Sequence, residues 1–526
     1  MNGRPVSRRA VLGGLAAAAL APLAWGQALE AGAARSHGGP GGVPRATGPG
    51  DAAVLSSPGQ MRGMWIASVN NTNWPSRTGL TAEQQKSEFT SWLDLAVSRR
   101  FNAVFVQVRP TADAFWPSRH EPWSQYLTGV QGRDPGYDPL AFMVEEAHAR
   151  GLAFHAWFNP YRVSLQPDPA RLVPDHPLRR NPGWGVTYAG GLYYNPGLPE
   201  VRAFVQDAIM DAVTRYDVDG VHFDDYFYPY PVDGQEFDDA EAYARHGKGF
   251  ADRAAWRRHN VDLLIHEMGR RVREEKPEAQ WGISPFGIWR NAATDPLGSA
   301  TSGSQSYDDQ HADSRGWVRK GWLDYIVPQL YWNIGLPVAD YAVLASWWAK
   351  AVAGTHTQLW IGQSVYNAGA PGQPAAWQDP AELSRHLTLN RDHPGIGGDV
   401  YYNSGDVRAD RLGAMTRLQA EHYARPALGP VLPRLASGEP PRPPVVTGAR
   451  RTSRSAELTF ASEGRGEPRL YAVYRHDPDG TGHLLAVVPG GPGGRFTDPA
   501  WKAGSRYRVT AVDAANRQSA PTLWVS

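Results

Sequence analysis

Short apolar segments with strand-like periodicity alternate with helix-like segments from Met61 to about Tyr423. Eight segments carry the strand pattern, at 62–69, 102–109, 152–158, 218–225, 280–287, 323–331, 358–365 and 395–402. Eight β–α units in series predict an α/β fold, a parallel (β/α)8 TIM barrel over residues 61–425. A doubly wound sheet is the alternative, but its glycine fingerprint is missing after the first strand.

Helix boundaries between these strands follow from capping signals. Thr81 with Gln84 predicts a capping box, and Asp138 before a proline predicts a second helix start. Gly151 stands where that second helix is expected to end. Pro199 and Pro380 are expected to open two further helices.

The chain continues beyond the barrel with a different pattern. Residues 426–443 are a proline-rich linker, and 444–526 hold short alternating segments separated by turns such as DPDG and PGGPGG. This pattern predicts a small all-β sandwich that resembles a fibronectin type III module. Its expected role is spacing or adhesion.

The N-terminus has the pattern of an export signal. Arg8 and Arg9 precede a short, weakly apolar Ala/Gly-rich stretch and resemble the twin-arginine motif. We therefore expect residues 1–34 to be a signal peptide and 35–60 a flexible Gly/Pro-rich spacer. No other apolar run reaches membrane length. The predicted location is outside the cytoplasm, in the medium, the cell wall or the periplasm.

Composition narrows the classes of function. The 526 residues include no cysteine, which excludes disulfides, thiolate zinc sites and a cysteine nucleophile. A net charge of +1 gives no electrostatic reason to expect a nucleic-acid partner. Aromatic residues make up 11% of the chain, which suits sugar ligands. No G-x-S-x-G elbow or Walker loop is present, so serine-hydrolase and nucleotide-driven chemistry lack support.

Polar side chains gather at the carboxyl ends of the predicted strands, where barrel active sites form. Alternation along five strands predicts an inward polar set: Gln107, Arg109, His155, Trp157, Asn159, His222, Asp224, Gln329, Tyr331, Asp399, Tyr401 and Asn403. A barrel needing only stability would place aliphatic residues there, because each unpaired buried polar group costs on the order of 1–3 kcal/mol.

The fourth strand ends in the densest cluster, with Asp224 and Asp225 among aromatic residues. Glycosidic chemistry needs one protonated carboxyl group and a second group that stabilises or attacks the anomeric carbon. In a regular strand Asp224 points inward and Asp225 does not, so Asp225 reaches the site only if the strand bends there. The alternative role for Asp225 is in a loop or a helix cap.

Other carboxylates are weaker candidates. Asp113, in the loop after the second strand, is expected to contact sugar hydroxyls or to cap local structure, and Asp399 is the best distant partner for Asp224. The 308–313 run (DDQHAD) resembles a metal site less than a polar loop ending in an N-cap, Asp313. His222 with Asp224 and His155 leaves metal-assisted hydrolysis as a minority alternative. We expect no cofactor and no metal.

Long matching stretches resemble the glycosyl-hydrolase-like family 10 proteins of bacterial envelopes, formerly a domain of unknown function. The stretches are RGMWIASVNNTNWPS (62–76), QVRPTADAFWPS (107–118), HAWFNPYR (155–162), NPGLPEVR (195–202), DGVHFDDYFYP (219–229), GISPFGIWRN (282–291) and DYIVPQLYW (324–332). The resemblance implies a (β/α)8 barrel and glycosidase activity on peptidoglycan glycan, particularly strands without stem peptides. The fourth-strand segment also loosely resembles the chitinase-like DGxDxDxE signature, from which His222 and Tyr226 depart.

The sequence therefore predicts an exported, cofactor-independent glycoside hydrolase of cell-wall glycan, with Asp224 as general acid/base and Asp225 as its partner. The residues expected to line the sugar subsites are Arg109, Asp113, Trp116, His155, Trp157, Asn159, Tyr226, Trp289, Gln329, Tyr331, Trp332 and Asp399. A substrate-assisted route through the N-acetyl group and a two-carboxylate route with Asp399 remain open. The alternatives are a hydrolase of another exported polysaccharide and a non-catalytic wall-binding barrel.

Overall fold

The computed structural model describes residues 59–462 and 467–525. The expected signal peptide, and all of the expected spacer except its last two residues, lie outside these ranges. The strands in chain order are β1 (Met61–Ile66), β2 (Ala103–Arg109), β3 (Ala153–Phe158), β4 (Arg162–Ser164), β5 (Gly185–Tyr188), β6 (Gly191–Tyr194), β7 (Gly220–Phe223), β8 (Gln280–Ile283), β9 (Tyr325–Ile326), β10 (Gln358–Ser364), β11 (Ile396–Tyr402), β12 (Val445–Arg451), β13 (Ala456–Ala461), β14 (Leu470–His476), β15 (Gly482–Pro489), β16 (Gly493–Asp498) and β17 (Arg506–Val512).

The helices surround the barrel and its loops. They are α1 (Ala82–Ser98), α2 (Gln125–Thr128), α3 (Pro139–His148), α4 (Pro177–Arg180), α5 (Pro199–Arg215), α6 (Ala240–His246), α7 (Arg253–Glu275), α8 (Ser306–Asp309), α9 (Ser314–Arg319), α10 (Tyr341–Val352), α11 (Glu382–Asn390), α12 (Ser404–Ala409) and α13 (Ala414–His422). None of the helices described is long and apolar enough to cross a membrane.

Eight parallel strands close the barrel in the order β1-β11-β10-β9-β8-β7-β3-β2. Each of the eight predicted strand segments overlaps one of these strands, so the predicted parallel barrel is confirmed. The long β3–β7 connection carries a small antiparallel sheet, β4-β6-β5, above the carboxyl ends of the strands.

The predicted helix starts agree closely with the structure. Thr81 and Gln84 form the capping box of α1, and the Asp138 side chain accepts a hydrogen bond from the third residue of α3. Helix α5 begins at Pro199, whereas α11 begins two residues after Pro380. These caps satisfy backbone N–H groups that a helix leaves without internal partners.

Large rings fill the barrel interior, and glycines make room for them. The Tyr325 ring stacks on Trp360 with centroids 4.2 Å apart, and the His155 ring stacks on Phe105 at 4.3 Å. A Cβ at Gly220 would lie 2.1 Å from the His155 ring, so a side chain there would displace the histidine. The lower barrel is therefore a packed core.

The six strands β12 to β17 form two antiparallel sheets, β12-β13-β16 and β15-β14-β17. Their facing sides bury an apolar core that includes Phe460, Tyr471 and Val509. Arg469 of this C-terminal module donates a hydrogen bond to Asp219, which lies just before β7 at the amino-terminal end of the barrel. The module therefore packs at the end of the barrel opposite the mouth.

Candidate active site

Two adjacent carboxyl groups follow β7 directly and are held from different directions. Asp224 Oδ1 accepts hydrogen bonds from Asn159 Nδ2 at 2.7 Å and from the Tyr226 backbone N–H at 3.2 Å. Asp225 Oδ2 accepts a hydrogen bond from the Tyr230 hydroxyl. Within residues 59–462 and 467–525, neither Asp224 Oδ2 nor Asp225 Oδ1 has a hydrogen-bond partner. Each carboxyl group thus has one oxygen that is hydrogen-bonded and one that is buried without a partner among these residues.

Burial changes the proton affinity of this pair. The side chain of Asp224 is nearly inaccessible, and burial, followed by the negative charge of Asp225, raises its pKa to about 6. The Arg162 guanidinium and the hydrogen bond from Asn159 oppose this rise. A carboxyl group with a pKa near 6 carries a proton for part of the time at neutral pH, which a general acid requires.

A polar network below Asp224 fixes its orientation. Asn159 Oδ1 accepts hydrogen bonds from Gln107 Nε2 at 2.5 Å and from the Arg162 guanidinium at 3.1 Å. Gln107 Oε1 in turn accepts from the backbone N–H groups of Ser68 and Val69, both at 2.9 Å. The acid is therefore connected through Asn159 to the loop after β1.

Half-buried aromatic rings surround the pair on the side of β8 and β9. Tyr226 and Tyr230 meet edge to face with centroids 5.6 Å apart, and Tyr230 contacts Phe286 in the loop after β8. Phe286 also contacts Trp332, which follows β9. Such rings present flat apolar faces on which sugar rings can stack.

A second aromatic group lies at the carboxyl ends of β9, β10 and β11. The Tyr331 and Tyr402 rings stack with centroids 6.2 Å apart, and Tyr366 meets both edge to face. Trp157 and Gln329 lie deeper: Gln329 donates to the Ser284 carbonyl oxygen at 2.8 Å. The Trp157 indole N–H is buried, and no hydrogen-bond acceptor for it lies in the described part of the chain. The half-buried positions of Tyr226, Tyr331 and Trp332 are thus compatible with the predicted sugar contacts, whereas Trp157 and Gln329 are only 3% and 6% exposed.

The two histidines lie below this level. The Tyr325 hydroxyl joins His155 Nδ1, at 3.1 Å, to His222 Nδ1, at 3.2 Å, and the Trp65 indole N–H donates to His222 Nε2. Burial lowers the pKa of His155 to about 4 and that of His222 well below its usual value. Both rings are neutral members of the barrel core, so the expected contact between His155 and sugar does not fit its position.

Arg109 and Asp113 support the loops instead of lining the mouth. Arg109 is fully buried; its guanidinium pairs with Glu121 and donates to the carbonyl oxygens of Asn159 and Pro160. Asp113 is also fully buried, and burial raises its pKa to about 7. The predicted sugar contacts of both residues are inconsistent with this burial.

Two predicted stacking platforms are also buried. Trp116 is inaccessible, and its indole N–H donates to Asp211 of α5 at 2.9 Å. Trp289 is 5% exposed, stacks on Trp347 and donates to Asp313 at 2.9 Å. The indole rings fill space between the barrel and its helices, so the prediction that Trp116 and Trp289 are stacking platforms for sugars is wrong.

Asp399 lies on the outer face of β11, not the inner one. Its Oδ1 accepts from Gln363 at 2.8 Å and from Asn390 of α11 at 2.9 Å, and Tyr401 beside it bonds to Tyr423. Val400 and Tyr402 occupy the inward positions. The predicted inward orientation of Asp399 and Tyr401 is therefore wrong, and Asp399 is no partner for Asp224.

No group of three or more potential metal-ligating side chains occurs among the residues described. In the 308–313 stretch, Asp308 pairs with Arg290, and Asp313 caps α9 by accepting from the Gly316 N–H. The predicted N-cap role of Asp313 is confirmed, whereas Asp308 and Asp309 lie in the short helix α8 and not in a loop.

Three residues at the site were not anticipated from the sequence. Arg162, Tyr230 and Phe286 lie in loops or short strands, where alternation gives no prediction of direction. The signal available for Arg162 and Phe286 was their inclusion in the stretches HAWFNPYR and GISPFGIWRN.

The model of one protein family, glycosyl hydrolase-like 10, matches residues 60–379. Glycosyl hydrolase YngK of Bacillus subtilis (strain 168) is 45% identical over 442 residues, which cover 83% of this chain and 86% of that protein. Glycosyl hydrolase DigH of Escherichia coli (strain K12) is 39% identical over 398 residues, which cover 72% of this chain and 89% of that protein.

Solved structures show more distant similarity. The glycoside hydrolase domain of PgaB (BpsB) from Bordetella bronchiseptica matches with a TM-score of 0.46 and 14% identity, covering 69% of this chain and 99% of that one. An endo-β-1,4-mannanase from Thermotoga petrophila matches with a TM-score of 0.40 and 8% identity, covering 89% and 97%. The family match and the two curated relatives establish that the chain belongs to the glycosyl hydrolase-like 10 family and that its enzyme class is glycoside hydrolase.

Proposed function

We propose that this protein is an exported hydrolase of peptidoglycan glycan strands, acting on strands that lack stem peptides. The observation that carries the proposal is the carboxyl pair at the barrel mouth, in which Asp224 Oδ2 and Asp225 Oδ1 are both buried and have no hydrogen-bond partner among the described residues. The ring of half-buried tyrosines and Trp332 supports a sugar ligand. The family resemblance and the twin-arginine pattern support a substrate in the bacterial envelope.

The N-acetyl group of such a glycan allows a substrate-assisted reaction. The acetamido oxygen attacks the anomeric carbon while Asp225 accepts the amide N–H and orients the group. Asp224 donates its proton to the glycosidic oxygen, and the bond to the leaving sugar breaks. Water then attacks the anomeric carbon from the opposite side, Asp224 takes its proton, and the acetamido group re-forms with net retention of configuration.

The Tyr230 hydroxyl has a defined part in this scheme. Its hydrogen bond holds one oxygen of Asp225, so the other oxygen faces the substrate with a fixed direction. A fixed acceptor reduces the reorganisation that the acetamido group needs before attack. Because Asp399 faces the helices, the two-carboxylate alternative with that residue loses its geometric basis.

The C-terminal module fits a fibronectin type III-like role as a spacer or adhesion unit. Its two packed antiparallel sheets support this assignment, and its contact with the barrel end opposite the mouth leaves the mouth accessible.

The decisive experiment offers the mature protein glycan strands stripped of peptide, chitin and xylan, with mass spectrometry of the products. We expect new reducing ends from the peptide-free strands. Asp224→Asn should lower kcat by roughly 10²–10⁴-fold, the usual contribution of a general acid. Asp207→Asn, a substitution of an exposed aspartate on α5, is the matched control and should retain full activity.

Three outcomes would contradict parts of the proposal. Net inversion at the anomeric carbon would eliminate the substrate-assisted route. Cleavage of xylan alone would assign another polysaccharide. Binding of glycan by both the wild type and Asp224→Asn, without any reducing ends, would identify a non-catalytic binding barrel.

A further inference from the structure

A polar cleft lies beside the carboxyl pair, between the loops that follow β1, β2 and β3. Its volume is about 420 Å³, and its ten lining residues are Asn70, Asn71, Thr78, Gln125, Tyr126, Gly129, Ser164, Leu165, Gln166 and Arg171. A smaller cavity of about 70 Å³ adjoins it and shares Gln125, Ser164, Gln166 and Arg171. All three loops belong to the carboxyl-terminal end of the barrel, the end that carries the mouth.

Short stretches of chain connect the cleft with the polar network that holds Asp224. Strand β4 runs between the two: Arg162 at its start bonds to Asn159 below Asp224, and Ser164 at its end lines the cleft. Two residues of extended chain span about 7 Å. On the other side, Val69, whose N–H bonds to Gln107, is followed immediately by Asn70 of the cleft. Two cleft residues, Asn70 and Ser164, therefore lie within two residues of groups in the network that holds Asp224.

Arg171 gives the cleft its charge. It is exposed at the end of the 3₁₀ turn Pro169–Arg171 and is the one charged residue among the ten that line the cleft. The structure gives its guanidinium no hydrogen bond or ion pair with another described residue. The amides Gln125 and Gln166 lie with it in both cavities, and the Gln166 amide is held in place by hydrogen bonds with the backbone of Asp168. A guanidinium group that lies beside amide side chains is suited to binding a carboxylate group carried by a sugar.

This composition explains a preference for strands without stem peptides. In peptidoglycan the peptide is joined by an amide bond to the lactyl carboxyl group of N-acetylmuramic acid, and removing the peptide frees that carboxylate. We infer that the cleft is a subsite for a carboxylate-bearing sugar and that Arg171 recognises the free carboxylate. The inference rests on the proposed function and names the feature of the glycan that this subsite recognises.

The test compares one glycan in two forms: peptide-free oligosaccharides with free lactyl carboxylates, and the same oligosaccharides with each carboxylate converted to its methylamide. We expect the wild type to show a KM roughly fivefold lower for the free form, as a partly exposed ion pair allows. Arg171→Gln should remove that difference by raising the KM of the free form only, with kcat unchanged. Arg171→Lys should retain part of it, and Arg270→Gln, on the exposed face of α7, should change nothing.

The outcomes separate the inference from the proposed function. Cleavage of both forms with equal KM, or an equal effect of Arg171→Gln on both, overturns the role of the cleft and leaves the hydrolase proposal standing. Arg171-dependent cleavage of uronic-acid oligosaccharides instead of the peptidoglycan forms supports the carboxylate subsite and overturns the proposed substrate. Absence of both cleavage and calorimetrically detected binding, with Asp224→Asn as the binding form, overturns both.

Discussion

Replacing Arg162 by glutamine should move the pH dependence of the reaction to higher pH. The Arg162 guanidinium reaches Asp224 through Asn159, with hydrogen bonds of 3.1 and 2.7 Å on either side of one amide. This places the two charges within about 8 Å, where an effective dielectric constant of about 20 gives an attraction of about 2 kcal/mol. Losing it should raise the pKa of Asp224 by about 1.5, from about 6 to about 7.5.

The direction of the effect follows from the role of Asp224. A general acid works in its protonated form, so kcat/KM falls as pH rises through its pKa. The alkaline limb of kcat/KM should therefore have its midpoint near pH 6 in the wild type and about 1.5 higher in Arg162→Gln. The assay is initial-rate release of reducing ends from peptide-free glycan at half-unit pH steps, at constant ionic strength.

A second substitution separates charge from shape. Arg162→Lys keeps the positive charge, so its alkaline limb should stay close to that of the wild type even if its rate falls. The midpoint is independent of the overall rate, so weaker substrate binding does not obscure it. An alkaline limb that stays in place or moves to lower pH in Arg162→Gln would refute the assignment of Asp224 as the titrating acid.

Three further substitutions test other parts of the structure. Tyr230→Phe should lower kcat by roughly tenfold to a hundredfold with little change in KM, because Asp225 loses its anchoring hydrogen bond; an unchanged kcat would argue against an orienting role. Burial raises the pKa of Asp399 to about 7, so the wild type loses stability as pH rises toward 7, by up to about 4 kcal/mol. Asp399→Asn should therefore gain stability relative to the wild type as pH rises from about 4 to about 7 in urea unfolding, and a constant difference would contradict this. Burial raises the pKa of Asp219, but Arg469 and His148 together lower it to about 2. Arg469→Ala should therefore lower the free energy of unfolding by about 1–2 kcal/mol at pH 7, and this loss of stability should shrink as pH falls toward 2.

Periodicity predicted the barrel well because strand spacing and helix caps are local properties of the chain. Alternation also gave the inward direction of Asn159 and Asp224 on neighbouring strands. Alternation does not predict, however, how deep in the barrel a side chain lies, and this depth decides whether a polar side chain can contact a ligand. His155 shares its face with Asn159 but lies one layer deeper, among the rings that fill the barrel.

The remaining errors have equally physical causes. Asp399 was placed inward because it is polar, yet polar groups also pack between strands and helices when amides such as Asn390 satisfy them. The indole rings of Trp116 and Trp289 satisfy their N–H groups with aspartates of the helix layer, which no local pattern reveals. The hydrogen bond from Tyr230 to Asp225 depends on the conformation of the loop after β7, which strand alternation does not predict.

Because Arg469 of the C-terminal module pairs with Asp219, the module and the catalytic mouth lie at opposite ends of the barrel axis. In the adhesive role proposed above, the module would bind a surface at the end of the barrel opposite the mouth, so the polymer that holds the enzyme and the polymer that it cuts need not be the same chain.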